Sequence, residues 1–326
     1  MGSKEAERVS EKALLAWIRS RPSPGAGPSF LSLETGIGDD CAVLATEGGD
    51  ALVVTTDMLV ENVHFRLEEG AERIGRKAMA VSLSDVAAMG CAPRFAFVSA
   101  GLAPGTDGAT ARALVEAMNA VAERHGAIVC GGDVVASPGG LTLSTTVLGS
   151  GRAERVLRRS AAEVGDRILV TGDLGGSLRG GHLDFEPRCS EGVTLAAVPG
   201  VRAMIDVSDG LSTDLHHVLE ESGVGARIEA ARIPISDAAR EQARRTGRSA
   251  LSHALNDGED FELLFTVEPG DAARLLADPP FATPMTDIGV IRPAAEGAIL
   301  ITDDGKERPL RAEGHEHLRE QDDAEE

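Results

Sequence analysis

Five short turns, each rich in Gly, Ser or Thr, carry aspartates and lie beside apolar runs of the sequence. They are Gly38-Asp39-Asp40, Thr55-Thr56-Asp57, Leu83-Ser84-Asp85, Gly131-Gly132-Asp133 and Asp206-Val207-Ser208-Asp209-Gly210. Carboxylates that converge with hydroxyls and backbone groups form hard oxygen sites, which suit Mg²⁺ and, through it, phosphate. One such turn alone is as readily a helix cap or a turn closure. The prediction of several metal ions around a polyphosphate therefore depends on the five turns as a group, because α/β proteins place ligand groups at strand ends and helix starts.

Short apolar segments rich in β-branched residues alternate with helical patterns, which predicts an α/β protein of the α+β type. The strand-like segments are residues 51–55, 95–100, 127–130, 141–148, 167–171, 203–207, 226–228, 261–267 and 288–291. The helical patterns are residues 5–19, 71–89, 110–125, 213–221 and 236–246. A basic, charge-rich stretch follows residue 150, so we predict an N-terminal domain over residues 1–150 and a C-terminal domain over residues 151–326. The acidic end near residues 320–326 is expected to be disordered.

The composition argues against several classes of protein. The formal net charge of −20 disfavours non-specific binding to nucleic acid or to anionic membranes, because both require a cationic surface. No apolar stretch approaches the roughly 20 residues of a membrane span, and the N-terminus lacks the pattern of a signal peptide. The four cysteines have no paired spacing, which favours reduced thiols in a cytoplasmic protein.

Several familiar nucleotide and metal motifs are missing from the sequence. The Gly-rich segment 171–177 lacks the Gly-x-Gly-x-x-Gly order, and no Gly-Lys-Ser or Gly-Lys-Thr of a P-loop occurs. The His-Arg-Asp and Asp-Phe-Gly motifs of protein kinases are also missing. Neither turn 206–210 nor turn 303–305 has the ligand spacing of an EF-hand. If the protein uses ATP, it therefore binds ATP in another way.

A series of motifs follows in order along the sequence, at residues 36–42, 56–61 with His64-Phe65, 77–90, Gly131-Gly132-Asp133, Arg159-Ser160, Gly165-Asp166, 205–211 and 258–263. The order of these motifs resembles that of the thiamine-monophosphate kinase family, and the resemblance extends from about residue 30 to residue 318. An ordered series of this length is far more specific than any single short pattern.

The resemblance implies a two-domain fold like that of aminoimidazole ribonucleotide synthetase. In that fold an N-terminal mixed sheet pairs in a homodimer, an α/β C-terminal domain completes the site, and ATP binds in the cleft. The implied reaction is the transfer of a phosphoryl group from ATP to thiamine monophosphate, which gives thiamine diphosphate. The acceptor phosphate has a second pKa of about 6 and is already ionised at neutral pH, so no general acid or base is expected.

The resemblance also implies roles for individual residues. The Mg²⁺ ligands would be Asp39, Thr55, Thr56, Asp57, Asp85, Asp133, Asp206 and Asp209. The nucleotide would contact Gly132, Arg159 and Ser208, and the thiamine substrate would contact His64, Glu259 and His315. His315 stands where the family usually has an aromatic residue, and an imidazole stacks with less surface. The affinity for thiamine monophosphate is therefore expected to be lower than is usual for the family.

Two other functions remain open. The first is another ATP-using enzyme of the same superfamily with a different acceptor, and the second is a non-catalytic sensor of Mg²⁺ and nucleotide. Arg159 also has an alternative role as one member of a solvated basic linker, because Arg155 and Arg158 lie beside it.

Overall fold

The structure, a computed structural model, describes residues 11–20 and 31–315. Helix α1 (Glu11–Arg19) overlaps the predicted helical pattern at residues 5–19. The predicted acidic tail near residues 320–326 lies outside the described residues. Of the helices that are described, none is both long enough and apolar enough to cross a bilayer.

The first sheet lies within residues 31–152. In the described chain its strands are β1 (Leu31–Thr35), β2 (Ala42–Thr46), β3 (Asp50–Val60), β4 (Ala92–Leu102), β5 (Ile128–Ala136) and β6 (Thr142–Arg152). They follow the order β1-β2-β3-β6-β4-β5, and all neighbours are antiparallel except β4 and β5. Helices α2 (Ala71–Ala88) and α3 (Gly108–Arg124) pack together, and α2 covers β3, β4 and β6. The side chains of β3 alternate between buried and more exposed because only one face of that strand meets this core.

The second sheet follows from residue 167. Its described strands are β7 (Arg167–Thr171), β8 (Val201–Asp206), β9 (Val224–Glu229), β10 (Leu263–Val267), β11 (Met285–Pro293), β12 (Ala298–Ile301) and β13 (Glu307–Pro309). The order is β13-β12-β9-β11-β7-β10-β8. The helices are α4 (Gly181–Asp184), α5 (Cys189–Ala196), α6 (Leu211–Ser222), α7 (Asp237–Thr246), α8 (Ala250–Asn256) and α9 (Pro269–Ala277). Strand β10 is buried along its whole length, as its continuous apolar run indicates.

Helix α2 connects the two sheets. Its apolar residues, such as Leu83, share one core with Phe265 of the second sheet. At its N-terminal end Arg73 Nε donates to Asp184 Oδ1 over 3.0 Å, which attaches α2 to α4. The predicted α/β fold is confirmed, and each predicted strand segment overlaps one of these strands. The chain passes from one sheet to the other between residues 152 and 167, and the domain boundary near residue 150 stays a prediction.

Candidate active site

Helix α2 places two serine hydroxyls against two aspartates that come from different sheets. Ser82 Oγ donates to Asp57 Oδ2 over 2.6 Å, and Asp57 lies on β3. Ser84 Oγ donates to Asp206 Oδ2 over 2.6 Å, and Asp206 is the last residue of β8. Because residues two apart on a helix do not face the same way, α2 reaches a different sheet through each serine.

Two further carboxylates complete this group. Carboxylate oxygens of Asp40, Asp85 and Asp206 lie within 4.8 Å of one another, and the Thr55 hydroxyl donates a hydrogen bond to Asp85. Burial raises the pKa of Asp85 well above its usual value, and the charges of Asp57 and Asp206 raise it further. We call Asp40, Asp57, Asp85 and Asp206 the carboxylate centre.

The carboxylate centre carries more negative charge than a buried site tolerates without a cation. Asp206 is 1% exposed, and burial, followed by the charge of Asp40, raises its pKa to about 7. Burial also raises the pKa of Asp57, although the hydrogen bond from Ser82 opposes the shift. Desolvated carboxylates that repel one another gain stability from a hard divalent cation, since the cation replaces the lost water and screens the repulsion. The donor set therefore fits Mg²⁺.

Arg159 is the cation that the fold places beside the carboxylate centre. Its guanidinium forms an ion pair with Asp40 and lies within 3.9 Å of Asp39. Its backbone N–H also points to the Asp39 carboxylate, at 3.3 Å from Oδ2. The Arg159 side chain is 18% exposed, so it is held against the acidic turn and does not belong to a solvated linker.

A second acidic group lies at the start of α6. One ligand atom from each of Asp209, Asp214 and His217 lies within 4.8 Å of the others. Asp214 Oδ2 accepts the backbone N–H groups of Asp209, at 3.1 Å, and Gly210, at 3.0 Å. Such N–H groups have no partner within the helix itself, so Asp214 has a structural role here. After burial and Asp209, the charge of Asp206 also raises the pKa of Asp214, which indicates that this group lies close to the carboxylate centre.

A pocket of about 400 Å³ opens near the other end of α2. Its lining residues are Asn62, Val63, His64, Phe65, Arg66, Glu69, Leu178, His182 and Glu259. The imidazole of His64 has a defined orientation, because Nδ1 accepts the backbone N–H of Val60 at 3.0 Å. Two of the three predicted substrate contacts, His64 and Glu259, thus line one pocket although they come from opposite halves of the sequence.

Only one of the three acids in segment 259–262 lines this pocket. Asp260 accepts the backbone N–H of Gly175 at 2.9 Å. Glu262 is 8% exposed in its side chain and pairs with Arg188. Asp260 and Glu262 are therefore structural, and Glu259 is the acid that a ligand can reach.

The turn that presents Glu259 has an unusual backbone. Gly258 has a φ of 72°, and a Cβ at this position would lie 2.7 Å from the Ser208 carbonyl oxygen, so the position requires glycine. Glu259 and Phe261 have φ values of 54° and 51°, which are strained for residues with side chains. The turn is held because Glu259 N–H donates to Ser208 O over 2.7 Å and Phe261 N–H donates to Val207 O over 2.8 Å.

Three residues that were predicted to contact metal or nucleotide do not face the carboxylate centre. Thr56 points to the opposite face of β3 from Thr55, and its hydroxyl accepts a hydrogen bond from Thr146 at 3.0 Å. Gly132 and Asp133 lie exposed on β5, which forms the edge of the first sheet. A Cβ at Gly132 would lie 1.7 Å from the Val98 carbonyl oxygen. The close packing of β5 against β4 therefore also requires glycine at this position.

Ser208 and His315 both lie at the turn that contains Asp209. The backbone N–H of His315 donates to Asp209 O over 2.9 Å, and Gly314 N–H donates to Thr213 Oγ1 over 3.0 Å. His315 is exposed and is not among the residues that line the pocket. The structure therefore places His315 beside the α6 acidic group and Glu259 beside the pocket.

Comparison with known proteins gives consistent results over most of the chain. The model of the AIR synthase related protein N-terminal domain matches residues 38–150, and that of the C-terminal domain matches residues 163–300. The thiamine-monophosphate kinase of Rhodopirellula baltica is 39% identical over 289 residues, which cover 86% of this chain and 89% of the relative. That of Escherichia coli K12 is 34% identical over 312 residues, which cover 89% and 94%. The chain belongs to the thiamine-monophosphate kinase family.

A solved member of the thiamine-monophosphate kinase family has the same fold. The thiamine monophosphate kinase of Aquifex aeolicus is 27% identical to this chain with a TM-score of 0.70. AaThiL complexed with AMPPCP and TMP is also 27% identical, with a TM-score of 0.81. The match covers 96% of this chain and 100% of AaThiL. The two-domain AIR synthase-like fold that the sequence predicted is therefore confirmed.

Two residues inside the thiamine-monophosphate kinase motifs reach the site without having been predicted to do so. Asp40 joins the carboxylate centre, and Lys77 contacts Glu259. A signal for Asp40 was its place beside Asp39 in the same turn. A signal for Lys77 was its position three residues after Ile74 on the apolar face of a helical pattern, where a charged residue is unexpected.

This member of the thiamine-monophosphate kinase family is expected to become less stable as pH rises when divalent ions are removed. Asp39 and Asp206 have pKa values of about 7 in the folded protein, compared with an ordinary value of 3.8, mainly because they are buried. Between about pH 4 and pH 7 the folded state keeps protons that the unfolded chain releases, so the free energy of unfolding falls with pH and then levels off. In EDTA, Tm should be higher at pH 5.5 than at pH 8.

Two controls accompany this measurement. Mg²⁺ added at pH 8 should raise Tm, because a bound cation stabilises the ionised carboxylates. Asp206→Asn should make the dependence of Tm on pH shallower, because one of the carboxylates with a raised pKa is gone. A higher Tm at pH 8 than at pH 5.5 in EDTA would contradict the prediction.

Proposed function

We propose that the protein transfers the γ-phosphoryl group of ATP to the phosphate of thiamine monophosphate, which gives thiamine diphosphate and ADP. The observation that carries the proposal is the carboxylate centre, in which Asp57 and Asp206 come together from two sheets beside Arg159. Such a buried acidic site suits metal-assisted transfer between phosphates. Relatives of similar length are thiamine-monophosphate kinases, and the related AaThiL was solved with AMPPCP, an ATP analogue, and TMP.

Several Mg²⁺ ions are the cofactors that the donor set favours. The proposed ligands are Asp39, Thr55, Thr56, Asp57, Asp85, Asp133, Asp206 and Asp209, to which the geometry of the carboxylate centre adds Asp40. Bound Mg²⁺ would neutralise phosphate charge and orient the phosphates for an in-line displacement. The protein holds the carboxylates in place beforehand through the Ser82, Ser84 and Thr55 hydroxyls.

Arg159, Ser208 and Gly132 are the proposed contacts of the nucleotide. The Arg159 guanidinium already lies against Asp39 and Asp40, so a triphosphate that enters beside them meets fixed positive charge. A guanidinium presents a planar fork of donors that matches phosphate oxygens. Ser208 lies between Asp206 and Asp209 and is partly exposed, which leaves it accessible to the nucleotide.

The pocket beside α2 is the proposed site of thiamine monophosphate, with His64, Glu259 and His315 as contacts. Lys77, which touches Glu259, and Asp85 are eight residues apart on α2, which corresponds to about 12 Å along the helix axis. A substrate whose ring lies in the pocket could therefore extend its phosphate along α2 to the carboxylate centre. His315, beside Asp209, would contact the substrate from the C-terminal side of that path.

The mechanism requires positioning and positive charge, and it needs no general base. A phosphate monoester has a second pKa of about 6, so the attacking oxygen is ionised at neutral pH. Two unit charges about 4 Å apart repel by roughly 4 kcal/mol at an effective dielectric constant near 20. Arg159 reduces this repulsion, and the pocket fixes the acceptor so that its phosphate faces the nucleotide.

We also propose that the protein forms a homodimer through β5. This strand is at the sheet edge, and its apolar side chains are unusually exposed: Ile128 by 61%, Val134 by 65% and Val135 by 55%. An exposed apolar edge strand favours pairing with another strand, and a second copy of this chain offers a matching one. Asp133 lies on the same strand, so its proposed role as a metal ligand would depend on the dimer.

Val134→Lys should disrupt the dimer. A charge on this strand would have to be buried on pairing, so the variant is expected to be monomeric by light scattering while the wild type is dimeric. Activity should fall in parallel if Asp133 acts through the dimer. Val115→Lys is a control, because Val115 is also exposed, by 51%, but lies on α3. A monomeric wild type would refute the dimer.

The test of the function is to incubate the purified protein with ATP, Mg²⁺ and thiamine monophosphate and to separate the products. Thiamine diphosphate that forms in step with ADP supports the proposal. ADP that forms without thiamine diphosphate would indicate a different acceptor, and Mg²⁺-dependent ATP binding without turnover would indicate a sensor.

We also place the protein in the cytoplasm, which the free thiols of Cys41, Cys91, Cys130 and Cys189 support.

A further inference from the structure

Lys77 is a fully buried lysine in the middle of α2. Its side chain is 0% exposed, and Nζ donates to His64 O over 2.7 Å and to Glu259 Oε1 over 2.6 Å. Charged side chains are rarely buried to this extent unless they are paired. Lys77 is therefore held by two partners, and both belong to the residues that line the pocket.

The two partners of Lys77 belong to segments that adjoin different sheets. His64 follows β3 of the first sheet, whereas Glu259 precedes β10 of the second sheet. The Lys77 ammonium thus connects the two parts of the protein at the place where they form the pocket. Since α2 also carries Ser82, Ser84 and Asp85, the same helix positions the pocket and the carboxylate centre.

The contact with Lys77 also determines which part of Glu259 a ligand can use. Glu259 Oε1 accepts from Lys77, and the Glu259 side chain is 23% exposed. The other oxygen, Oε2, remains as the acceptor for a donor group of the substrate. Burial lowers the pKa of Lys77, and the charge of Glu259 opposes this shift. The Glu259 carboxylate therefore supports the charged form of Lys77.

The strained backbone of the turn at Glu259 indicates that the contact between Lys77 and Glu259 has a functional role. Glu259 has a φ of 54°, and strained backbone persists where the surroundings hold it, most often at functional sites. The backbone of the turn is held by Ser208, and its side chain is held by Lys77. Because the backbone and the side chain of Glu259 are both held, its carboxylate is kept at the pocket.

We propose that Lys77 is a positioning residue for the acceptor substrate, which orients the Glu259 carboxylate and the His64 segment across the pocket. The identity of the acceptor, thiamine monophosphate, comes from the proposed function. Lys77 itself does not touch the reacting atoms. Its loss should therefore affect binding of the acceptor much more than binding of ATP.

The experiment is a double-mutant cycle with steady-state kinetics on the full chain. Lys77→Gln, Glu259→Gln and the double variant are compared with the wild type for kcat and for KM of each substrate. Each single variant should raise KM for thiamine monophosphate on the order of tenfold, because a charge-assisted hydrogen bond is lost. KM for ATP should change by less than about twofold. The KM of the double variant for thiamine monophosphate should be about equal to the higher of the two single-variant values, because both residues act through one contact.

Further variants separate positioning from folding. Lys77→Arg, if it folds, should retain more affinity for thiamine monophosphate than Lys77→Gln, since it keeps the charge. Lys306→Gln is a matched control, because Lys306 is 71% exposed, and it should change neither KM. If the Lys77 variants do not fold, Glu259→Gln should still lower Tm, because it leaves a buried ammonium without its counter-charge. An unchanged Tm would then overturn the proposal.

The remaining outcomes decide between the two proposals. If the wild type forms no thiamine diphosphate, the proposed function fails. If the wild type is active but a folded Lys77→Gln variant binds thiamine monophosphate normally, the role of Lys77 is wrong. Effects of Lys77→Gln and Glu259→Gln that multiply in the double variant would also refute it.

Discussion

Replacement of Asp206 by asparagine is expected to lower kcat on the order of 10³-fold. Asp206 is the residue through which the second sheet enters the carboxylate centre, and Asp40 and Asp85 lie within 4.8 Å of it. Asparagine has nearly the same shape and can still accept the hydrogen bond from Ser84, so the change removes charge with little effect on packing. The measurement is steady-state turnover at saturating ATP and thiamine monophosphate.

The same variant should be at least as stable as the wild type without Mg²⁺. Because burial and Asp40 raise the pKa of Asp206 to about 7, its charged form is unfavourable in the folded protein at pH 8, and asparagine relieves the repulsion. Thermal unfolding in EDTA at pH 8 tests this expectation. Asp304→Asn, in an exposed turn, should change neither turnover nor Tm. A large loss of Tm together with activity in Asp206→Asn would instead assign Asp206 a structural role.

Arg159→Met is expected to raise KM for ATP about 30-fold. A charge-assisted hydrogen bond contributes about 2 kcal/mol, which corresponds to a factor of this size. The apo-protein should also lose stability, because the Arg159 guanidinium is the partner of Asp40 and lies beside Asp39. The opposite effects of Arg159→Met and Asp206→Asn on Tm would show that charge balance governs the site.

The control for Arg159→Met is Arg155→Met. Arg155 lies in the same basic stretch but is exposed, so its loss should leave KM for ATP unchanged. Arg159→Lys should recover part of the affinity only, since lysine keeps the charge but lacks the planar fork of donors. Equal responses of Arg155→Met and Arg159→Met to ATP concentration would remove Arg159 from the nucleotide site.

The long elements of the fold were accessible from local sequence patterns. The predicted helical pattern at residues 71–89 corresponds to α2, which ends at Ala88, and the strand-like segment 167–171 corresponds to β7. The sequence patterns did not predict helices α4, α5, α8 and α9 or strands β1, β2, β12 and β13. Strands β12 and β13 contain only four and three residues, and such short segments do not establish a hydrophobic period. Their positions depend on pairing with distant parts of the chain.

The chemical type of the site could be predicted from the sequence, but its detailed geometry could not. The aspartate turns indicated oxygen ligands for a cation, and the motif order indicated the family. The assignment of Asp40 to the carboxylate centre and of Lys77 to the pocket required the structure. The same holds for Thr56, whose side chain faces away from Thr55 because successive residues of a strand point to opposite faces.

The sequence by itself determined the fold class, the acidic character of the site and the family, because these follow from residue types, their order and local periodicity. Only the tertiary structure decided which aspartates meet, that Arg159 is paired with Asp40 instead of exposed to solvent, and that Lys77 connects His64 to Glu259. These contacts join residues that are far apart in the chain. They exist because α2 packs against both sheets at once, and no local pattern encodes which side chains such packing brings within a few ångströms of each other.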